Sequence, residues 1–332
     1  MRLSLLFSTI FILSGLNSFT QHTFSIVAID SINGQIGSAG ATCGDSIIWP
    51  GTPGALLISD IIPGIGAIHT QSFYLADNQD AAHDKMMEGL SPQEIIDWLV
   101  NNDIQGNPSQ RQYGIIDYNN GSPRSAAYTG INCFDYKNHI LGSNYAIQGN
   151  ILLGQEILDN MENNFINTSG SLAEKLMAAM QGANVIGADT RCEDDSTSSL
   201  SAFLRVANPN DEFDQLFLDI NVAGTAQWVE PIDVLQEKFD QWLLVNSEEE
   251  LFKTGIQIDL FPNPARSVLR IELELYIPNS TLQVYSMDGK LFRSIKLNSN
   301  VELLDVSAFP RGMYQLLLMD TEVKERQRFI VQ

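Results

Sequence analysis

The 332-residue chain does not alternate strand with helix. Its strand-like and helical patterns come in blocks, and this order constrains the fold more than any other feature. Residues 23–29 and 35–42 read as a β-hairpin around the turn Asp30 to Gly34, and strand-like runs follow at 55–59 and 65–71. Two helices are predicted next. The first covers 75–88. The second opens at Ser91-Pro92-Gln93-Glu94, with Ser as N-cap, Pro at the first helical position and Glu three residues after the cap. Ile95, Ile96, Leu99 and Val100 then share one helix face. Strands at 111–117, 124–130 and 144–149 precede helices at 154–165 and 171–181; strands at 200–206 and 215–222 precede a helix at 231–245. Blocks of this kind indicate a layered α+β domain, not an alternating parallel βαβ fold.

Charge divides the chain in two. Of 19 Lys/Arg and 40 Asp/Glu, nine of each lie from Gly255 onward, so the net charge of −21 belongs wholly to the first 254 residues. A neutral domain therefore follows an acidic one. Ser247-Glu248-Glu249-Glu250 begins a charged linker over 247–255, and 256–332 is short strand and turn throughout, which suits a small β-sandwich. The acidic surface argues against nucleic acid and anionic membranes, both of which call for a basic footprint.

Met1-Arg2-Leu3, the apolar run from Leu5 to Leu13 and the small polar stretch Ser14 to Thr20 have the order of a signal peptide over 1–20, with cleavage near Thr20/Gln21. The run is shorter than the roughly 20 residues of a transmembrane helix. Three cysteines, Cys43, Cys133 and Cys192, leave three ways to form one bridge, and no C-x-x-C points to zinc.

Two resemblances follow. The pieces Leu260-Phe261-Pro262-Asn263-Pro264-Ala265, Val284 to Lys290, Leu304-Asp305-Val306-Ser307, Pro310 to Tyr314 and Arg328-Phe329-Ile330-Val331 are similar, in order, to the sorting domain of the type IX secretion system of Gram-negative bacteria. That resemblance implies an address read by the secretion machinery and a secreted or cell-surface protein. Within a domain over 21–246, the segment from Thr23 to about Leu243 resembles the domain of unknown function 1028. The match is carried by Thr23 to Ala28 with Asp30, Gly64 to Ala67 with Thr70-Gln71, Gly89 to Pro92, Arg111 to Gly114, Tyr128-Thr129-Gly130 with Cys133, Gln148 to Leu152, Asp189 and Arg191. The family is assigned to the N-terminal-nucleophile (Ntn) hydrolases, which implies a four-layer αββα fold. Ile29 stands where family members often carry Arg.

Ntn chemistry uses the side chain of the first residue as nucleophile and its α-amine, of pKa about 7.7–8.0, as base. It requires no metal and no cofactor. Thr23 at the start of the first strand is the candidate nucleophile. Asp30 is expected to orient the amine, Asn150 to stabilise the oxyanion, and Gln71, Gln148, Asp189 and Arg191 to contact a small-molecule or peptide substrate. The other reading is a catalytically inactive extracellular binding module; in either, a homo-oligomer stays open. Rival schemes lack their signatures: no G-x-S-x-G surrounds a serine, and His83 has no helical partner at i+4. Glu193-Asp194-Asp195 and 208–214 match no calcium-loop spacing. As read from the family pattern, Cys43 and Cys192 stand where relatives need no cysteine, so they are expected to pair and leave Cys133 free. Non-reducing peptide mapping tests this, with a 43–192 cross-linked peptide as the expected product.

Overall fold

Alternation along the first strand sets the architecture. In the computed structural model, which describes residues 23–250, 257–274, 276–278, 280–286, 290–319 and 323–332, β1 (Thr23–Ile29) is buried along its whole length. Since successive side chains point to opposite faces, Phe24, Ile26 and Ala28 face one way and Thr23, Ser25, Val27 and Ile29 the other. A strand buried on both faces lies inside a sheet with layers above and below. The predicted signal peptide (1–20), the later part of the predicted linker (251–255) and the turn at 287–289 lie outside the described residues.

β1 pairs antiparallel with β2 (Ile36–Thr42) and β8 (Tyr145–Gly149). With β7 (Asn138–Leu141), β9 (Ser201–Ala207) and β10 (Leu218–Val222) these form a six-stranded sheet, order β10-β9-β2-β1-β8-β7. A second antiparallel sheet has the order β3-β4-β5-β6, from Ser59–Ile62, Gly66–Gln71, Gln112–Asn119 and Ser122–Thr129. Helices α1 (Ala76–Met87) and α2 (Pro92–Asn101) cover the four-stranded sheet through Ala82, Met86, Ile95, Ile96 and Leu99. The capping box expected at Ser91 is present, its hydroxyl accepting from Glu94 N–H while the Glu94 carboxylate accepts from Ser91 N–H. Helices α3 (Gln155–Asn167) and α4 (Leu172–Gly182) lie on the six-stranded sheet. The small residues of β2 let α4 approach: a Cβ on Gly37 would stand 2.3 Å from Leu176 Cδ1. Between the sheets lie Val27, Ile29, Ile36, Ile61, Ala67, Ile116, Ala146 and Ala207. This unit is thus mixed α+β with antiparallel sheets.

Three local expectations differ. Residues 54–58 form a 3₁₀ turn, not a strand, because Gly54 enters it at φ +65° after Pro53. The short edge strand β7 was not predicted, since Asn138-His139-Ile140-Leu141 has no alternation to reveal it. Helix α5 (Pro231–Glu250) runs through the start of the predicted linker. The chain divides into compact units at Met1–Phe239 and Asp240–Gln332, just after the buried Ile232, Leu235 and Phe239 of α5. Among the described residues no helix is long and apolar enough to cross a membrane.

The second unit has a three-stranded sheet, β11-β12-β15 (Ile258–Phe261, Val268–Leu273, Val301–Asp305), and a four-stranded sheet, β14-β13-β16-β17 (Leu291–Lys296, Thr281–Ser286, Gly312–Met319, Val323–Val331). One apolar core, including Leu269, Ile271, Leu282, Val284, Leu316 and Phe329, serves both. Asn263 ties the start of the unit to its last strand: Ile330 N–H donates to its Oδ1 at 2.9 Å and its Nδ2 donates to Arg328 O at 3.1 Å.

Cys43 and Cys192 are bonded, Cα atoms 5.7 Å apart across 149 residues of chain, and Cys133 is a buried free thiol. A loop of that length stabilises by at most about 5 kcal/mol through chain entropy. A buried ion pair braces the other side of the unit. Arg111 Nε donates to Asp103 Oδ2 at 2.7 Å, with side chains only 1% and 0% exposed. Burial pushes the Asp103 carboxyl up, but bonds from Arg111, Asn107 N–H and Asn78 outweigh this and hold its pKa at about 2. A depressed carboxylate stabilises the fold above its unfolded pKa of about 3.9 and stops doing so as pH falls through about 2. Urea unfolding should therefore show stability falling between about pH 4 and pH 2. Asp103→Asn should remove much of that slope and cost about 3–5 kcal/mol at neutral pH, by leaving Arg111 buried and uncompensated.

Candidate functional site

The faces turned toward each other by the two sheets change character along their length. On β1 that face reads Thr23, Ser25, Val27, Ile29; on β4 it reads Gln71, His69, Ala67; on β5, Gln112, Gly114, Ile116; on β8 and just beyond, Asn150, Gln148, Ala146. Each strand is polar at the end nearest Thr23 and apolar at the other. The two-residue period gathers these side chains into one buried group.

Hydrogen bonds connect the group. Gln71 Nε2 donates to Thr23 O at 3.2 Å and to Gln112 Oε1 at 2.7 Å. Ser25 Oγ donates to Gln71 Oε1 at 2.7 Å and accepts from Gln148 Nε2 at 2.6 Å. Asn150 Nδ2 donates to Gln112 Oε1 at 2.9 Å, and Asn150 N–H donates to Thr23 O at 3.1 Å. Gln148 Nε2 also reaches His69 Nδ1 at 3.2 Å. An amide nitrogen only donates, so Nδ1 accepts and His69 Nε2–H points at Ser38 Oγ, 2.5 Å away. Burial lowers the His69 pKa to about 3, the nearby Arg205 charge adding to the effect, so the ring is neutral. A Ser–His pair without a carboxylate, wholly enclosed, is no catalytic triad.

The end of β2 brings a second set of groups. Thr23 lies opposite Thr42, and Arg191 Nη2 donates to Thr42 Oγ1 at 3.4 Å. Arg191 grips Asp189 with two bonds, Nε to Oδ1 at 2.9 Å and Nη2 to Oδ2 at 2.6 Å. Asp189 is fully buried and also accepts from Cys43 N–H at 3.1 Å, so this is not the exposed ion pair such a sequence would ordinarily form. The Cys43–Cys192 bridge links the residue after Thr42 to the residue after Arg191, pinning the 189–192 turn beside β1.

Backbone strain collects here. Ser72 (φ 55°) and Phe73 (φ 49°) follow Gln71, and Ile151 (φ 55°) follows Asn150. A left-handed β-branched residue is a true outlier, and such residues concentrate at functional sites. The Arg111 guanidinium, held by Asp103, donates from Nη1 to Phe73 O and fixes that loop.

Thr23, Gln71, Gln148, Asn150, Asp189 and Arg191 thus come together, and Asp30 does not. Asp30 stands just past the end of β1, seven residues from Thr23 and about 23 Å away at a strand's usual rise. Its Oδ1 accepts from Ile32 N–H at 2.9 Å, closing the hairpin turn, so a role in orienting the Thr23 amine is ruled out by distance. Gln148 has both amide hydrogens engaged within the protein, which leaves it no donor for a substrate. Cys133 donates to Arg111 O at 3.3 Å, and burial above all raises its pKa, so it is a poor nucleophile. Ser25, Ser38, His69 and Gln112 were missed as site partners. Their signal was polar side chains at alternate positions of strands whose other residues are apolar.

Thr23 Oγ1 is buried without a hydrogen-bond partner. A native hydroxyl in that state calls for an explanation.

A family model described as a family of unknown function (DUF1028) matches residues 23–231, and one described as a secretion system C-terminal sorting domain matches 259–332. Among solved structures, the DUF1028 protein SPO2555 from Silicibacter pomeroyi is 20% identical with a TM-score of 0.53, covering 67% of this chain and 89% of that one. PorZ of the type IX secretion system of Porphyromonas gingivalis is 13% identical at TM-score 0.18, over 40% of this chain and 21% of its own. No curated protein matches.

The ladder makes a prediction about Gly114. A Cβ there would lie 1.9 Å from Gln148 Oε1, so Gly114→Ala should displace Gln148 and destabilise the unit by about 1–3 kcal/mol in denaturant unfolding.

Proposed function

Since the chain belongs to the DUF1028 family and ends in a type IX secretion sorting domain, we propose that it is an exported Ntn-type amidohydrolase with Thr23 as nucleophile. The sorting domain implies delivery to the cell surface or the extracellular space by the type IX machinery. The sequence of packing contacts, helices on the six-stranded sheet, that sheet on the four-stranded one, and helices beyond it, supports a four-layer αββα reading.

The observation that carries the activity is the orphaned Thr23 hydroxyl at the head of β1. Cleavage before Thr23 turns its backbone nitrogen into a free α-amine on the same residue. That amine accepts the hydroxyl proton, and Oγ1 adds to a substrate amide carbonyl. In this scheme the side-chain amide of Asn150, held by its bond to Gln112 Oε1, stabilises the tetrahedral oxyanion. Collapse breaks the C–N bond, and the proton passes from the α-ammonium to the departing amine. Water then hydrolyses the threonyl ester, its proton taken by the same α-amine. Gln71 and Gln148 position β1 in this scheme. The Asp189–Arg191 pair orders the rim beside it.

N-terminal sequencing of the exported protein, with labelling by a threonine-directed β-lactone, tests the reading. The expected mature residue is Thr23, carrying the label; Thr23→Ala should abolish labelling and lower any amidase turnover by roughly 10³-fold. A mature chain that begins and stays at Gln21 has no amine on Thr23, which leaves the inactive binding module instead.

A further inference from the structure

A polar cavity that Thr23 does not line opens on the flank where α1 meets β3. It encloses about 510 Å³, within the range of small-ligand sites, and is lined by Ser59, Asp60, Gln79, Asp80, His83, Asp84 and Phe213. What these groups have left to offer decides what the cavity takes. Ser59 Oγ is bonded to Ser38 Oγ at 2.7 Å. Gln79 Nε2 donates to Leu57 O at 3.3 Å, and its Oε1 accepts from Tyr74 OH at 2.8 Å. His83 Nδ1 lies 2.8 Å from Asp60 Oδ2, so in the neutral ring Nδ1 carries the hydrogen and Nε2 is an acceptor.

Asp80, His83 and Asp84 occupy positions i, i+3 and i+4 of α1 and so share a face. Of the nearby cations, Lys85 pairs with Glu88, and Arg205 pairs with Asp219 and donates to Ser59 O and Oγ at 3.4 Å; among the described residues none pairs with Asp80 or Asp84. The open groups of Asp80 and Asp84 are two carboxylates, which accept hydrogen bonds. The half-exposed Phe213 ring stands edge-on to His83 at 5.7 Å and supplies an apolar wall. A cavity with two unpaired carboxylates and one aromatic side suits a ligand that brings donors, positive charge and a short apolar body. A metal ion fits less well. Among the described residues, three such ligand atoms come within 4.8 Å of one another only at Cys43, Cys192 and Asp195, where the two sulfurs form the disulfide.

We propose that this cavity is a binding site for a small organic amine, with Asp80 and Asp84 receiving its ammonium or guanidinium groups and Phe213 its methylene body. The site stands apart from Thr23 and does not depend on the hydrolase reading.

Isothermal titration of the full chain tests it, at about 0.15 M salt so that diffuse attraction is screened. The probe is 1,4-diaminobutane; 1,4-butanediol matches its length without charge, and Ca²⁺ probes for a metal site. The paired substitution Asp80→Asn and Asp84→Asn falls on exposed helix positions, and an unchanged unfolding curve verifies that the fold is kept. The expected result is saturable one-to-one binding of the diamine, weakened at least about tenfold in the double variant, with no heat from the diol. Thr23→Ala should bind the diamine as the parent does. Absence of saturable binding, equal binding by the double variant, or Ca²⁺ binding that displaces the diamine would each overturn the proposal.

Discussion

The amide of Gln148 is the contact on which the inter-sheet arrangement depends. Its nitrogen donates to Ser25 on β1 and to His69 on β4, so one side chain from the six-stranded sheet bonds to both sheets at once. Its oxygen lies where a side chain on position 114 would be, and glycine there is what allows the approach. Polar groups enclosed between sheets are tolerated only when their partners are in place. The ladder through Gln71, Gln112 and Asn150 meets this condition, so it fixes the sheets' relative register at the polar end while the aliphatic end packs without direction.

Around that ladder the Thr23 end is held from three sides. The disulfide and the Asp189–Arg191 grip hold the 189–192 turn; the Asp103–Arg111 pair holds the left-handed Phe73 loop; Asn150 and the left-handed Ile151 close the third. Strain in two loops is sustained because buried charge pairs and a covalent bridge over-determine the backbone. A disulfide is also in keeping with export, since oxidising compartments preserve such bonds. In this setting the unsatisfied Thr23 hydroxyl stands with three other buried atoms that lack partners, Gln148 Oε1, Thr70 Oγ1 and Ser72 Oγ, at the polar end of the two sheets.

The sorting domain is built on different terms. Its core is its own, its charge is balanced, and the residues that carry its resemblance are largely structural. Asn263 clamps the last strand, and Tyr314 stacks on Phe329 and donates to Pro310 O at 2.7 Å. The motif residues therefore hold together the folded domain that the sorting-domain match assigns to the type IX secretion system.

Local order was legible in the sequence wherever chemistry within a few residues decided it. The Ser91 capping box, the helical faces of α2 and α4, the hairpin of β1 and β2 and the β-rich tail all follow from short-range pattern. The gathering of Thr23, Gln71, Gln148, Asn150, Asp189 and Arg191 was reached through the resemblance, and no spacing along the chain shows it. Asp30 shows the limit in the other direction: near Thr23 in sequence, it is carried a full strand length away, because an extended chain separates residues that a helix would keep together. His69 and Ser38, 31 residues apart, meet only because two sheets stack face to face. The sequence by itself determined which faces are polar and which are apolar. Tertiary structure alone decided which polar faces meet, because that depends on strand order and sheet stacking, set by contacts between residues far apart in the chain, as in Gln148 with His69 and with Ser25.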